Sequence, residues 1–212
     1  MAATIKFDSA GLPESPTLVL EKNSGEKIGV LNTAINITFT ENLNSYSEIS
    51  FSIPKRLNGR KCPYWHQIRD FRLIYVPEWK KRFELHVEVN QSTRSIKSIT
   101  GKSVCECELS NIRLFETEIN TESDIARKDY KVTVLYDEND AKASLLHRIL
   151  ADKAQFYKII HVDKSIQKIQ RTFSFDDISI YDAFQEIAEE IHCLFVFGNE
   201  NDNGEFRTIS CV

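Results

Sequence analysis

The sequence lacks most of the features that identify a membrane-spanning, secreted or nucleotide-binding protein. Its longest uninterrupted apolar run is the five residues 193–197, whereas a membrane-spanning helix needs about 20. Residues 1–10 have no basic start followed by an apolar stretch, so we expect no secretory signal. The seven glycines are spread singly and form no phosphate-binding loop motif. Five cysteines, an odd number without regular spacing, favour folding in a reducing, intracellular environment.

The sequence also has little excess charge of either sign. Charged residues make up 27% of the 212-residue chain and the net charge is only −4, which lacks the positive excess that supports non-specific nucleic-acid binding. Basic residues do cluster near aromatic ones, a pattern found in nucleic-acid interfaces. We interpret these residues as solvated loops and expect no specific nucleic-acid binding. The cluster consists of Lys55, Arg56, Arg60, Lys61, Lys80, Lys81 and Arg82, with Tyr64, Trp65 and Trp79 nearby.

Proline and charge are distributed unevenly along the chain. All five prolines lie within residues 1–77, and residues 1–118 carry a net charge of +2 against −6 for residues 119–212. Such asymmetry indicates two folding units. We therefore predict a β-rich first domain, residues 1–118, and an α+β second domain, residues 119–212.

Apolar residues of the first domain recur with a period of two. Phe83, Leu85 and Val87 alternate with Glu84 and His86, which places the apolar set on one face of a strand. Many short strands separated by Gly, Asn and Pro turns favour an antiparallel barrel or sandwich. Further strands are predicted at residues 17–20, 34–39, 49–53, 71–76, 95–100 and 103–109.

The second domain changes to a helical period. Two amphipathic helices are predicted, the first capped within residues 137–140 and the second started by Ser179 and Asp182 in a capping-box pattern. Residues 193–197 and 206–212 are predicted to form strands joined by a turn-rich loop. The helical stripes are Leu145, Leu146, Ile149, Leu150 and Ala154, then Ile180, Tyr181, Phe184, Ile187, Ala188 and Ile191.

Cys105 and Cys107 form a C-x-C pair that could offer two thiolates to a soft metal. No second C-x-x-C or H-x-x-x-H pair completes a tetrahedral site. If residues 103–109 form a strand, the two cysteines share its buried face with Leu109. We interpret the pair as two small core residues, and we predict no metal site and no cofactor.

Three other residue pairs could in principle carry catalysis. His161 and Asp163 share one face of a predicted strand and resemble a base with its orienting carboxylate. Cys193 follows His192, but a thiol needs a base that meets it in space. Acidic residues such as Asp176 and Asp177 are common ahead of a helix. We therefore predict no catalytic residue and no enzymatic activity for these 212 residues.

Several segments together resemble the start of phage and prophage tail-hub proteins, which are also called tail-associated or minor tail structural proteins. The resemblance covers nearly the whole chain and lies in the order and spacing of hydrophobic and turn positions. The segments are PTLVLEKNSGEKIGVL (16–31), ENLNSYSEISFSIP (41–54), YWHQIRDFRLIYV (64–76), KRFELHVEV (81–89), SLLHRILAD (144–152), IIHVD (159–163), RTFSFDDISIYDAFQEIAEEIHCLFVF (171–197) and RTISCV (207–212).

The resemblance implies a virion structural protein that assembles in the host cytoplasm. Its implied place is the baseplate or tail-tip hub, as a trimeric ring docked on the distal tail protein, with tube-like barrel domains around a lumen for the tape-measure protein and DNA. Family members usually continue into further β, peptidoglycan-degrading or receptor-binding parts. We therefore expect this chain to be the N-terminal portion of a longer protein, with contact to the host surface only indirect.

Two other functions remain open from the sequence. One is a peptidoglycan hydrolase, for which His161, Asp163 and the C-x-C pair would be the candidates. The other is a carbohydrate- or receptor-binding β domain, in which Trp65 and Trp79 would be exposed stacking platforms.

Overall fold

The computed structural model describes residues 9, 14–41, 46–89, 95–151, 153–198, 200 and 204–212. The chain forms two compact units, Met1–Val104 with Gly198–Glu200, and Cys105–Phe197 with Asn201–Val212. The second unit thus begins at Cys105, earlier than the predicted boundary after Glu118. The reason is strand pairing, because residues 113–119 form two short strands that pair with strands near residue 175 in the second unit.

The first unit is built on one antiparallel sheet of seven strands. Their order is β2-β1-β7-β8-β9-β4-β3, and a separate hairpin pairs β5 with β6. The sheet curls into a half-barrel, so a mainly β first part is confirmed. The strands are β1 (Val19–Glu21), β2 (Lys27–Val30), β3 (Ile35–Thr40), β4 (Glu48–Pro54), β5 (Arg56–Leu57), β6 (Arg60–Lys61), β7 (Leu73–Val76), β8 (Lys81–Val89) and β9 (Ile96–Ser103).

The core of the first unit lies on one face of this sheet, as the alternating pattern predicts. Phe83 and Leu85 of β8 are buried, and so are Ile49, Phe51 and Ile53 of β4. Burying side chains of this size contributes about 1.5–3 kcal/mol each. The other buried members are Leu18, Leu20, Leu31, Cys62, Trp65, Ile68, Ile74, Val76 and Ile99.

The strand predicted at residues 103–109 is wrong, because this segment forms a helix. β9 ends at Ser103 and α1 covers Val104–Ser110. Val104, Cys105 and Leu109 are buried together, a spacing that also fits one side of a helix. A short apolar run satisfies both periods, and tertiary packing decides between them.

The second unit combines short strands with three further helices. The pairs β10–β14 and β11–β13 are antiparallel, and a three-stranded sheet has the order β12-β16-β15. This arrangement confirms the predicted α+β character. The elements are β10 (Arg113–Leu114), β11 (Thr117–Ile119), α2 (Glu122–Ile125), a 3-10 turn (Ala141–Ala143), α3 (Leu145–Leu150), β12 (Lys158–Val162), β13 (Phe173–Phe175), β14 (Ile178–Ser179), α4 (Ile180–Ile191), β15 (Phe195–Phe197) and β16 (Thr208–Cys211).

Both predicted amphipathic helices are present. α4 begins at its predicted cap, where the Ser179 Oγ accepts a hydrogen bond from the Asp182 N–H at 3.0 Å, and it ends at His192 in the left-handed conformation. α3 is capped by Ser144 rather than by residues 137–140, because Asp140 caps the preceding 3-10 turn. In the described residues, no helix has both the length and the apolar character that crossing a membrane requires.

Candidate functional site

The two outer strands of the seven-stranded sheet form the candidate functional site. β2 and β3 terminate the strand order, so each has one side that pairs with no other strand among the described residues. Such an edge presents backbone N–H and C=O groups that can hydrogen-bond to a strand of another chain. As far as the described residues show, the sheet therefore offers two edges suited to β-strand addition.

The β3 edge alternates polar and apolar side chains along residues Ile35–Thr40. Asn36 and Thr38 are exposed, whereas Ile37 and Phe39 pack against the core. The register with β4 shifts in the first half of the strand, where Asn36 has a positive φ of 55°. Because a bulge increases local twist, the second half of β3 is the part best suited to pairing.

The β2 edge is supported from the core by an aromatic ring. A Cβ added to Gly29 would lie 2.1 Å from Cζ of Tyr64, so glycine permits this close approach. Lys27, at the start of β2, is exposed. A lysine on an edge opposes pairing with a second positively charged strand, which favours pairing of β2 with a neutral edge such as β3.

Trp79 packs against an aromatic side chain of β3. The rings of Phe39 and Trp79 stack with centroids 4.3 Å apart. The Lys81 ammonium lies 5.7 Å from the Phe39 centroid and donates to the Glu41 carboxylate at 2.6 Å and to the Ser47 hydroxyl at 3.3 Å. Trp79 thus packs within the sheet and holds the β3 edge in place.

Trp65 is a core residue with only 7% of its surface exposed. The buried Lys97 ammonium lies 4.9 Å from its ring centroid and donates to the backbone carbonyls of Trp65 and Ile68 at 2.7 and 2.5 Å. Burial lowers the pKa of Lys97. Trp65 is buried and Trp79 is only partly exposed, so neither is the fully exposed stacking platform that the carbohydrate-binding alternative invokes.

Among the solved structures with a similar fold, one matches over nearly the whole chain. It is the prophage tail protein gp18 from Listeria monocytogenes EGD-e, with a TM-score of 0.58 and 9% sequence identity. The chain has the fold of a prophage tail protein. The match covers 93% of this chain and 50% of that protein, so the chain spans half of its length. No protein-family model and no curated protein matches the sequence.

In this tail-protein fold, the predicted basic cluster divides between two places. Lys55, Arg56 and Lys61 line a cavity of about 630 Å³ together with His66 and Trp65. Lys81 and Arg82 are instead paired with carboxylates. Three of the basic residues thus line one cavity, and two others are engaged by carboxylates.

The C-x-C cysteines lie on α1 rather than on a strand. Cys105 is buried, and burial raises the pKa of its thiol to about 12. Its Sγ donates to the carbonyl of Phe206 at 3.2 Å. Residues two apart on a helix do not face each other, so Cys105 and Cys107 do not converge on one ion. Within the described part of the chain, no three His, Cys, Asp or Glu side chains cluster to hold a metal.

His161 and Asp163 lie on one exposed side of the β12 segment, as expected. The Asp163 carboxylate, however, accepts hydrogen bonds from the N–H and hydroxyl of Ser165 at 2.8 and 2.7 Å. These bonds lower the pKa of Asp163. The carboxylate therefore stabilises the turn that follows β12, and His161 beside it also lowers its pKa.

The two remaining candidate pairs have local structural partners. Asp176 accepts from the backbone N–H of Glu116 at 3.3 Å, and Asp177 accepts from the Arg113 guanidinium at 2.6 Å. These carboxylates belong to the turn between β13 and β14 rather than to a paired-carboxylate site. The neighbouring Cys211 thiol lowers the pKa of Cys193, and sequence proximity did not suggest that neighbour.

Sequence reasoning missed a buried ionic cluster in the first unit. The Arg82 guanidinium donates to Glu21 at 3.0 Å and to Glu200 at 2.7 Å, and it lies 4.3 Å from the Tyr75 ring centroid. Glu21 is only 4% exposed; burial raises the pKa of its carboxyl and Arg82 opposes that shift. The signal was a glutamate inside a buried strand segment, since such a charge needs a partner.

A second cluster that was missed lies in the second unit and joins its loops to α3. The Arg148 guanidinium donates to both Asp124 oxygens, at 2.9 and 3.0 Å, to the Thr133 hydroxyl at 2.9 Å and to the Glu118 carbonyl at 2.7 Å. Asp124 also accepts from the N–H of Asn120 at 2.9 Å. Hydrogen bonding to Arg148 lowers the pKa of Asp124.

Proposed function

We propose that this chain is a structural protein of a phage or prophage tail and forms part of the tail-tip hub of the baseplate. In this role it connects the tail tube and the distal tail protein to host-facing modules. It surrounds the channel used by the tape-measure protein and DNA, and it performs no chemistry. The proposal places it in the virion tail after assembly in the host cytoplasm.

The observation that carries the proposal is the match of fold to a prophage tail protein over 93% of the chain. The open half-barrel supports it, because a curled sheet with two free edges can close a ring by pairing with its neighbours. Pairing β2 of one copy with β3 of the next is a heterologous contact, and such contacts generate rings. We propose a trimer as the closed state.

A lysine at Thr38 is expected to weaken self-association at least about tenfold, or about 1.4 kcal/mol. Thr38 is exposed in the pairable half of β3, and a charged side chain there must be desolvated when another strand pairs with the edge. Light scattering and sedimentation at high protein concentration measure the change as a shift from trimer to monomer.

Thr100→Lys is the matched control for Thr38→Lys. Thr38, Ser50 and Thr100 lie in one cross-strand row, so both substitutions change the same face, but Thr100 is on an interior strand. The control should associate like the original protein. Equal weakening by both lysines would show that the β3 edge is not the interface. A monomer under all conditions, together with absence from tails in cryo-microscopy, would contradict the hub proposal.

We also expect no peptidoglycan hydrolysis by these 212 residues. A zymogram with purified cell walls should show no clearing at any protein concentration at which a known lytic enzyme clears the gel. His161→Ala and Cys107→Ala variants serve as paired samples. Clearing by the original protein that is lost in either variant would assign a lytic function to this chain and overturn the non-enzymatic part of the proposal.

A further inference from the structure

The β5–β6 hairpin places two positive charges directly opposite each other. Arg56 pairs with Lys61 in the antiparallel register, and opposite residues project their side chains from the same face of a ladder. Asn58 and Gly59 form the turn between them, and both have a positive φ, 49° and 78°, as a tight type I′ turn requires. The turn thus fixes a pairing of like charges that by itself destabilises the hairpin.

A cavity of about 630 Å³ lies against this hairpin. Three of its lining residues carry a positive charge, and none of its lining residues is a carboxylate. Among the described residues, none of these three cations forms an ion pair with an acidic side chain. Uncompensated charge of one sign in a cleft attracts ions of the opposite sign. The basic lining residues are Lys55, Arg56 and Lys61, and the lining also includes Pro63, Trp65 and His66.

Hydrogen bonds from the core hold the backbone around the cavity in place. The N–H of Lys55 donates to the Ser95 carbonyl at 2.6 Å, and its carbonyl accepts from the N–H of Cys62 at 3.0 Å. The buried Lys97 ammonium donates to the Trp65 carbonyl at 2.7 Å and lies 4.9 Å from the Trp65 ring centroid. A fourth cation therefore lies beside Trp65. Because the frame is already ordered, little order must be created when a ligand binds.

We propose that this cavity binds a small phosphorylated molecule with at least two negative charges. Phosphate oxygens match the cations present, since arginine can donate two parallel hydrogen bonds and lysine adds a point charge. The volume falls within the range of about 300–1,000 Å³ that is typical of small-molecule sites. Pro63 and Trp65 supply apolar surface for the organic part of the ligand. The bound anion offsets the repulsion between Arg56 and Lys61.

The inference goes beyond the proposed tail function and does not depend on it. All the lining residues belong to the first unit of a single copy, whereas the hub proposal concerns strand pairing between copies. Failure of either proposal therefore leaves the other unchanged. A concave cavity of this volume encloses one small ligand, so we favour a small phosphorylated molecule over nucleic acid.

The test is isothermal titration calorimetry of the full chain with inorganic pyrophosphate, in buffer free of divalent metals. Sodium chloride at about 0.15 M screens exposed charges that are more than about 8 Å apart. We expect saturable binding at a single site. Arg56→Gln and Lys61→Gln should each weaken this binding at least about tenfold, because each removes charge-assisted hydrogen bonds.

Arg60→Gln is the matched control. Arg60 is an exposed cation on the same hairpin, but it pairs with Leu57 and does not line the cavity. Its replacement removes the same charge, yet the variant should bind pyrophosphate like the original protein. Urea unfolding without pyrophosphate gives a second readout. Lys61→Gln should unfold at the same or a higher urea concentration than the original, because it removes the like-charge pair.

The proposal is overturned if the original chain shows no saturable binding at millimolar pyrophosphate. Equal weakening in Arg60→Gln would also overturn it, because the binding would then reflect general positive charge. Unfolding of Lys61→Gln at a lower urea concentration would contradict the repulsion on which the site is argued. A short DNA duplex, titrated in parallel, should bind more weakly than pyrophosphate. Tighter duplex binding that is lost in Arg56→Gln would replace the small ligand with nucleic acid.

Discussion

Replacing Arg148 with methionine is expected to destabilise the second unit by about 3–5 kcal/mol. The substitution removes four hydrogen bonds that the guanidinium donates. It also leaves the Asp124 carboxylate, whose side chain is only 4% exposed, without its main cationic partner. In the part of the chain that the structure describes, the four α-helices begin at or after Val104, so far-UV circular dichroism during urea unfolding measures the effect.

Arg127→Met is the matched control, because Arg127 is an exposed arginine 3.7 Å from the same carboxylate. An exposed ion pair contributes less than about 1 kcal/mol, so the control should unfold nearly like the original protein. Equal losses in the two variants would show that burial of the Asp124–Arg148 pair is not what makes it important.

The same cluster predicts an acid-dependent loss of stability. The pKa of Asp124 is lowered in the folded protein, so its contribution is present above the ordinary value of 3.8 and is lost as the pH falls through the folded pKa. Arg148→Met should reduce this slope, which unfolding curves between about pH 5 and pH 2 can measure. An unchanged slope would assign the acid response to other carboxyl groups.

Replacing Arg82 with methionine is expected to destabilise the first unit by about 3–5 kcal/mol at neutral pH. The guanidinium holds two carboxylates, and Glu21 would remain buried and unpaired. Both tryptophans, Trp65 and Trp79, lie in the first unit. Tryptophan fluorescence during urea unfolding therefore follows the effect directly.

The pH dependence of Arg82→Met distinguishes a buried charge from lost packing. Burial raises the folded pKa of Glu21 above its ordinary value of 4.5, so the folded state holds the proton more tightly and stability falls as the pH rises through that range. The loss of stability caused by Arg82→Met should thus be smallest in acid.

Adding Glu21→Gln to Arg82→Met should restore much of the lost stability. Lys102→Met is the control; it removes an exposed ion pair with Glu48 at 3.8 Å and should have little effect. A pH-independent deficit without rescue would indicate lost packing instead.

The elements that the sequence predicted well are those with a clear local period. Phe83 and Leu85 alternate with polar residues in β8, and both are buried as predicted. The Ser179–Asp182 pattern marked the start of α4, since an N-cap needs only residues within one turn. Local hydrogen bonding and side-chain periodicity are encoded in neighbouring residues, so both can be deduced without a structure.

Elements whose outcome depended on distant pairing could not be predicted in the same way. Residues 103–109 fit both a strand and a helix, and α1 forms there. The boundary after Glu118 followed charge and proline, but Thr117–Ile119 pairs with Phe173–Phe175. Neither the composition nor the hydrophobic period of a segment identifies the strand with which it pairs. The boundary between the two units therefore lies earlier in the chain than the boundary predicted from charge and proline.

The period of the apolar residues determined, from sequence alone, a β-rich part followed by an α+β part. Only the tertiary structure decided which charges meet: Arg82 with Glu21, and Arg148 with Asp124. It also decided which strands remain at the edges. The physical reason is that such contacts join residues far apart in sequence, and their energies depend on burial that arises only when the chain is folded.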